Sequence, residues 1–191
     1  MSRIRCSWCL GDDLYENYHD REWGVPIFDD KLLFEFLILE TFQSGLSWIT
    51  VLRKREHFKK AFDDFDYRKV SMYDIRKENK LLTNINIIRN SKKVASAINN
   101  SKAVMKIQKA KGSFANYMWE FVSGEPIVNQ YKNLDEIPPY TSLAERISKD
   151  LKQNEFKFIG PTVVYSFMQA TGMVNNHLVD CFRYSKVGLK R

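Results

Sequence analysis

Residues 29–42 read DDKLLFEFLILETF. Two aspartates suited to capping a helix N-terminus precede a run that is apolar almost all round. A helix without a polar face must be covered on every side, so this segment is expected to be the buried central helix of a helical core. Immediately after it, SWITVLRKREHFKKAF (47–62) opens on a serine and places apolar residues at 49, 52, 58, 61 and 62, which predicts one amphipathic helix. Further helices are expected over 71–80, 90–110, 114–123 and 142–152. The last of these would be opened by a capping box from Ser142 to Glu145, just beyond the chain-breaking Pro138 and Pro139. Pro161 suits the first turn of a final helix over 161–172, which Gly172 can close. Few stretches alternate with the two-residue period of a strand, and there is no internal repeat, low-complexity tract or flexible linker. The expectation is an all-α, single compact domain over 1–191.

Composition agrees with a globular chain. Of 191 residues, 44% are hydrophobic and 14% aromatic, enough to build a core without disulfides. No run of about 18 apolar residues is present, and MSRIRCSWC lacks the apolar centre of a signal peptide. Neither membrane insertion nor export is expected, which leaves the cytoplasm. Three cysteines, an odd number, point to metal binding or burial rather than a disulfide framework. The formal net charge of +7 is compatible with a polyanionic partner such as nucleic acid. The basic residues are spread along the chain, and the one cluster, RYSKVGLKR at 183–191, also reads as a solvated terminus.

Three constellations carry chemistry. In NNHLVDC (175–181), His177 and Cys181 lie four apart, about one helical turn, and could both reach one zinc ion. A closed tetrahedral site needs two further donors, and Cys6, Cys9 and His19 form a second cluster near the N-terminus. The alternative is a buried cysteine beside a hydrogen-bonded histidine. In NEFKFIGPTVVYSF (154–167), a helix end, a turn with Gly160 and a new helix from Pro161 and Thr162 resemble a helix-hairpin-helix element. There the free amides of a helix start hold a phosphate, with Lys157 as a cationic neighbour. In LETFQSGLSW (39–48), Glu40 ends an apolar run, where burial and the helix dipole both disfavour its charge. It either turns outward into water or lines a pocket. Trp8, Tyr15, Tyr18, Trp23 and Trp48 are near in sequence to that carboxylate or crowd the N-terminal segment. They are core residues or the walls of a stacking pocket for an extruded base.

Taken with CSW, LYENYHDREWGVP, LETFQSGLSWITVLRKRE and FKFIGPTVVYSFMQATGMVNNH, the chain from Cys6 to Cys181 resembles the type I 3-methyladenine DNA glycosylases, a zinc-containing branch of the helix-hairpin-helix glycosylases. The resemblance implies that Cys6, His19, His177 and Cys181 hold one structural zinc joining the two ends of the chain, with Cys9 outside the set. It implies Glu40 as the base-reading, catalytic carboxylate, with Trp8, Tyr15, Tyr18 and Trp48 around the base. The implied reaction is hydrolytic excision of 3-methyladenine flipped from alkylated double-stranded DNA. The methylated base is cationic and leaves neutral, so extrusion, stacking and hydrogen bonding suffice. Asn175 stands where many relatives carry a catalytic aspartate, and Thr162 where bifunctional ones carry a lysine. No strong general base and no lyase step are expected. Phe158 stands where glycine is frequent. Leu46, between small loop residues, is the expected wedge into the duplex, unless it packs on the next helix. A monomer without protein partner is expected, since no extended heptad appears. Two other readings are a non-catalytic binder of alkylated DNA and a zinc-stabilised DNA-binding module without lesion preference.

Overall fold

A computed structural model describes residues 3–187; the last four residues of the basic tail lie outside the described residues. The helices are α1 (Asp13–Arg21), α2 (Asp30–Gln43), α3 (Trp48–Leu52), α4 (Arg55–Ala61) and α5 (Tyr67–Ser71) in the first half. They continue as α6 (Ile75–Thr83), α7 (Ser91–Lys111), α8 (Phe114–Glu120), α9 (Ser142–Gln153) and α10 (Pro161–Ala170). The protein is mostly helical. The departure from all-α is a parallel pair of two-residue strands, β1 (Ile127–Val128) and β2 (Val174–Asn175), with Ile127 opposite Val174.

The segment 29–42 behaves as its lack of a polar face requires. Asp29 caps α2 by accepting from the Leu32 amide, and every residue from Leu33 to Phe42 is buried. Helices α3, α7, α8 and α10 pack around it. Asp30, in the first turn of α2, accepts from the amides of Phe114 and Ala115 and from the Ser113 hydroxyl, so it also caps α8. The apolar side chains of all these helices form one continuous core.

Three sequence expectations change and one helix is added. The single helix over 47–62 is two, because the chain turns at Arg53 and Lys54. Just after that turn Arg55 reaches Glu22 at 2.5 Å and Glu35 of α2 at 2.7 Å. The helix over 71–80 begins at Ile75, because Asp74 is the cap and accepts from the Lys77 amide. The segment before it belongs to α5, capped by Asp66. The capping box at Ser142 does not form. Thr141 takes the cap by accepting from the Ala144 amide, and Glu145 pairs with Lys149 one turn on. Helix α1, which sequence periodicity does not suggest, is capped by Asp12 and carries the aromatic N-terminal segment.

Glycine is required at two places where the N-terminal segment meets the end of α10. At Gly172, φ is +74° and an added Cβ would lie 2.4 Å from Pro26 N. At Gly24, φ is +80° and a Cβ would sit 3.2 Å from His177 Nε2. The amide of Ile27 donates to the Thr171 carbonyl alongside. These contacts bring residues 6–27 against residues 171–181.

Candidate active site and metal centre

Five structural elements converge on one pocket of about 190 Å³. A 3-10 turn (Ser7–Cys9) gives Trp8, α1 gives Tyr15 and Tyr18, α2 gives Glu40 and Gln43, α3 gives Trp48, and α10 gives Ser166 and Gln169, with Trp23 beyond α1. A cavity of about 150 Å³ already accepts a benzene ring, so this one suits a flat heterocycle. Its walls are edge-packed aromatics: Trp8 lies 4.8 Å from Tyr15 and 5.0 Å from Trp23, and Tyr18 lies 5.4 Å from Trp48 between ring centroids.

Two polar groups in this wall lack partners. Glu40 is 4% exposed and makes no hydrogen bond or ion pair with any described residue, and burial pushes its carboxyl up to about 8. Trp48 Nε1 is buried without an acceptor. Burial, reinforced by Glu40, also raises the Tyr18 hydroxyl well above its ordinary value, so Tyr18 is a neutral phenol. An apolar cleft with a few unpaired polar atoms is the usual form of a small-molecule or base site. Glu40 therefore does not turn out into water. The pocket brings together Trp8, Tyr15, Tyr18, Glu40 and Trp48, and adds Trp23, Gln43, Ser166 and Gln169. The signal for the α10 pair is visible in the sequence, because Thr162, Ser166 and Gln169 form a polar stripe on an otherwise apolar helix.

Behind Trp8 and Trp23 lies a second cluster. The donor atoms of Cys6, His19, His177 and Cys181, all buried, lie within 4.8 Å of one another. Cys181 Sγ is 3.4 Å from His19 Nε2 and 3.5 Å from His177 Nδ1, and Cys6 Sγ is 3.8 Å from His177 Nδ1. Bonds of about 2.0 Å to nitrogen and 2.3 Å to sulfur in a tetrahedron give edges of roughly 3.3–3.8 Å, which the three contacts above match, while separations within the group extend to 4.8 Å. The outer ring nitrogens are also placed for a metal ion. His177 Nε2 donates to the Trp23 carbonyl at 3.1 Å and His19 Nδ1 to Asp20 at 2.8 Å, which leaves the inner nitrogens free as ligands. Burial lowers the His177 pKa, keeping the imidazole neutral, while Cys6, His177 and His19 hold the Cys181 thiol down. Amides of Leu178 and Arg183 point at the two sulfurs. One expectation is corrected: His177 and Cys181 do not share a helix face but converge through a turn, closed by the Cys181 amide on the Leu178 carbonyl. Cys9 is buried outside the group, its thiol donating to the Cys6 carbonyl.

Asn175 does not line the pocket. It is fully buried, donates to the carbonyls of Tyr184 and Val187, and accepts from the His177 amide. It shapes the loop that carries His177.

The connection between α9 and α10 is held from beneath. Asn100 of α7 pairs with both the amide and the carbonyl of Lys157, and Ser148 donates to the Ile159 carbonyl. Phe158 sits at φ +59°, in the left-handed region where glycine is at ease and a bulky residue is strained. No side chain caps α10 at Gly160, and Lys157 and Thr162 are exposed beside its open amides. Leu46 is 41% exposed in the turn between α2 and α3 and stands outside the core rather than packing on the next helix.

The chain is 45% identical over 180 residues to DNA-3-methyladenine glycosylase 1 of Escherichia coli (strain K12), covering 94% of this chain and 96% of that protein. It is 41% identical over 177 residues to DNA-3-methyladenine glycosylase of Haemophilus influenzae (strain ATCC 51907 / DSM 11121 / KW20 / Rd), covering 93% and 96%. The fold superposes with a TM-score of 0.91 on 3-methyladenine DNA glycosylase I from Staphylococcus aureus, a structure concerned with 3-methyladenine recognition, at 39% identity over 94% of this chain and 96% of that one. The fold is thus of the DNA glycosylase class. Residues 8–184 match the methyladenine glycosylase family, and the chain belongs to it.

Proposed function

We propose that this chain is a monofunctional DNA-3-methyladenine glycosylase, one domain over 1–191, that acts on alkylated double-stranded DNA in base-excision repair. The observation that carries the reading is the aromatic pocket holding an unpartnered, buried Glu40. An extruded 3-methyladenine nucleotide would stack among Trp8, Tyr15, Tyr18 and Trp48. Its cationic ring would favour the ionised form of Glu40, which then accepts hydrogen bonds from the base edge, and the pocket thereby selects a positively charged purine over a neutral one. The bond from the sugar C1′ to the base breaks with its electron pair going to the base, which leaves neutral. Water adds to the oxocarbenium-like C1′ and loses its proton to solvent. Since the leaving group is activated by its own charge, the Asn175 position needs no general base, and no lysine at position 162 means no Schiff-base lyase step.

The α9–α10 connection works as a helix-hairpin-helix element in this reading. The open amides beyond Gly160, with Lys157 and Thr162, hold a backbone phosphate, and Leu46 enters the duplex beside the extruded nucleotide. Cys6, His19, His177 and Cys181 hold one zinc ion. With four protein donors no coordination position remains for water, so the metal is structural. The enzyme acts as a cytoplasmic monomer, and among the described residues no helix is long and apolar enough to cross a membrane.

The test is chromatography of bases released from methylated duplex DNA. The parent should release 3-methyladenine, and Glu40→Gln should be slower by roughly 10²-fold or more. Tight lesion binding without released base would make the chain a damage sensor, and equal affinity for damaged and undamaged duplex at matched salt would make it a general DNA-binding module.

A further inference from the structure

Lys93 is a buried cation without an anion. It lies in the first turn of α7, is 4% exposed, and among the described residues no acidic side chain pairs with it. Its ammonium donates instead to two backbone carbonyls at the C-terminal end of α2, Phe42 at 2.8 Å and Ser44 at 2.6 Å. The Phe42 carbonyl belongs to the last turn of a helix, where no amide follows to satisfy it and the helix dipole is negative, and Ser44 is the residue that ends that helix. On its other side the ammonium lies 5.8 Å from the centre of the Phe158 ring, in the connection between α9 and α10. Burial lowers its pKa, a measure of what holding a charge there costs.

The position of these contacts gives them meaning. Ser44 opens the turn that leads from Gln43 of the pocket through exposed Leu46 to Trp48 of the pocket. Phe158 belongs to the connection that Asn100 pins, and Lys93 and Asn100 are seven residues apart, two turns along one face of α7. One helix face thus ties the rim of the base pocket at one end and the hairpin two turns later. On the reading that this is a glycosylase, the two loops must meet the same stretch of duplex together. We propose that Lys93 is a positioning residue that sets the 44–47 turn in register with the hairpin, so that base extrusion from duplex DNA depends on it and binding of the free base does not. Lys93 touches α2 only through the Phe42 carbonyl at its end, and it makes no bond to the pocket-lining Tyr15, Tyr18, Glu40, Ser166 or Gln169.

The experiment compares parent, Lys93→Met and Lys93→Gln on two probes: single-turnover excision from a duplex oligonucleotide bearing 3-methyladenine, and equilibrium binding of free 3-methyladenine. Methionine keeps the stem and removes every donor, and glutamine retains one donor at shorter reach. The expected result for Lys93→Met is a loss of roughly 10-fold or more in duplex excision with free-base affinity within about 3-fold of the parent, and an intermediate loss for Lys93→Gln. Equal losses on both probes, or no loss on the duplex, would overturn the proposal. If Lys93→Met does not fold, Lys93→Gln decides by the same ratio. A parent that releases no base marks failure of the functional reading itself, separately from any effect of Lys93.

Discussion

Glu40 shows how burial sets chemistry at one residue. Its carboxyl is raised from an ordinary 4.5 to about 8 because it is desolvated and unpaired. A carboxyl raised in the folded state stabilises the fold fully below pH 4.5, and that contribution is lost as pH rises to about 8, above which the cost of the buried charge is constant. Glu40→Gln removes the titration. The variant should therefore match the parent near pH 4.5 and exceed it increasingly up to pH 8, by as much as about 5 kcal/mol. Thermal melts of both proteins across that range check this, and a difference independent of pH would rule out a buried ionising carboxyl at position 40. His19 and His177 make the companion point. Each is oriented by what its outer nitrogen donates to, Asp20 for His19 and the Trp23 carbonyl for His177, which turns the inner nitrogens toward the two cysteines.

At the scale of elements, the short connections do more than join helices. The 44–47 turn exposes Leu46 between two pocket residues, and the α9–α10 connection keeps Phe158 in a strained backbone conformation that Asn100 and Ser148 hold from below. Leu46→Ala removes an exposed side chain outside the core, so folding and metal content should be unchanged while excision from duplex DNA falls about 10-fold. Excision at the parental rate would exclude Leu46 as the wedge. The same scale explains the misplaced boundaries. The apolar pattern of 47–62 gives no sign of the turn at Arg53 and Lys54, after which Arg55 pairs with Glu22 and Glu35.

For the whole molecule, the buried cysteine and histidine group that could hold a metal joins residues near both ends of the described chain, positions 6 and 19 to positions 177 and 181. It also backs the pocket, since Trp8 and Trp23 pack on His19 and His177. Metal analysis should find one zinc per chain. His177→Ala should lower the metal content and cost about 3 kcal/mol or more, a fall in Tm of about 6–12 °C for a chain of this size. A variant with full metal content would remove His177 from the ligand set.

The sequence by itself determined the central helix and the helical class. An apolar run with no polar face has one environment open to it, and Asp29 and Pro161 mark their helix starts by local chemistry. The aromatics, Glu40 and the cysteine and histidine clusters were legible as candidates, and the family resemblance, not the residue types, singled out Cys6, His19, His177 and Cys181 and left Cys9 aside. Tertiary structure alone decided that Glu40 faces a cavity rather than water, that Ser166 and Gln169 complete that cavity, that Asn175 is a structural amide, and that Lys93 bridges two loops. Each of these depends on contacts between residues tens of positions apart, and a local pattern of propensities carries no record of which distant backbone will come to lie opposite.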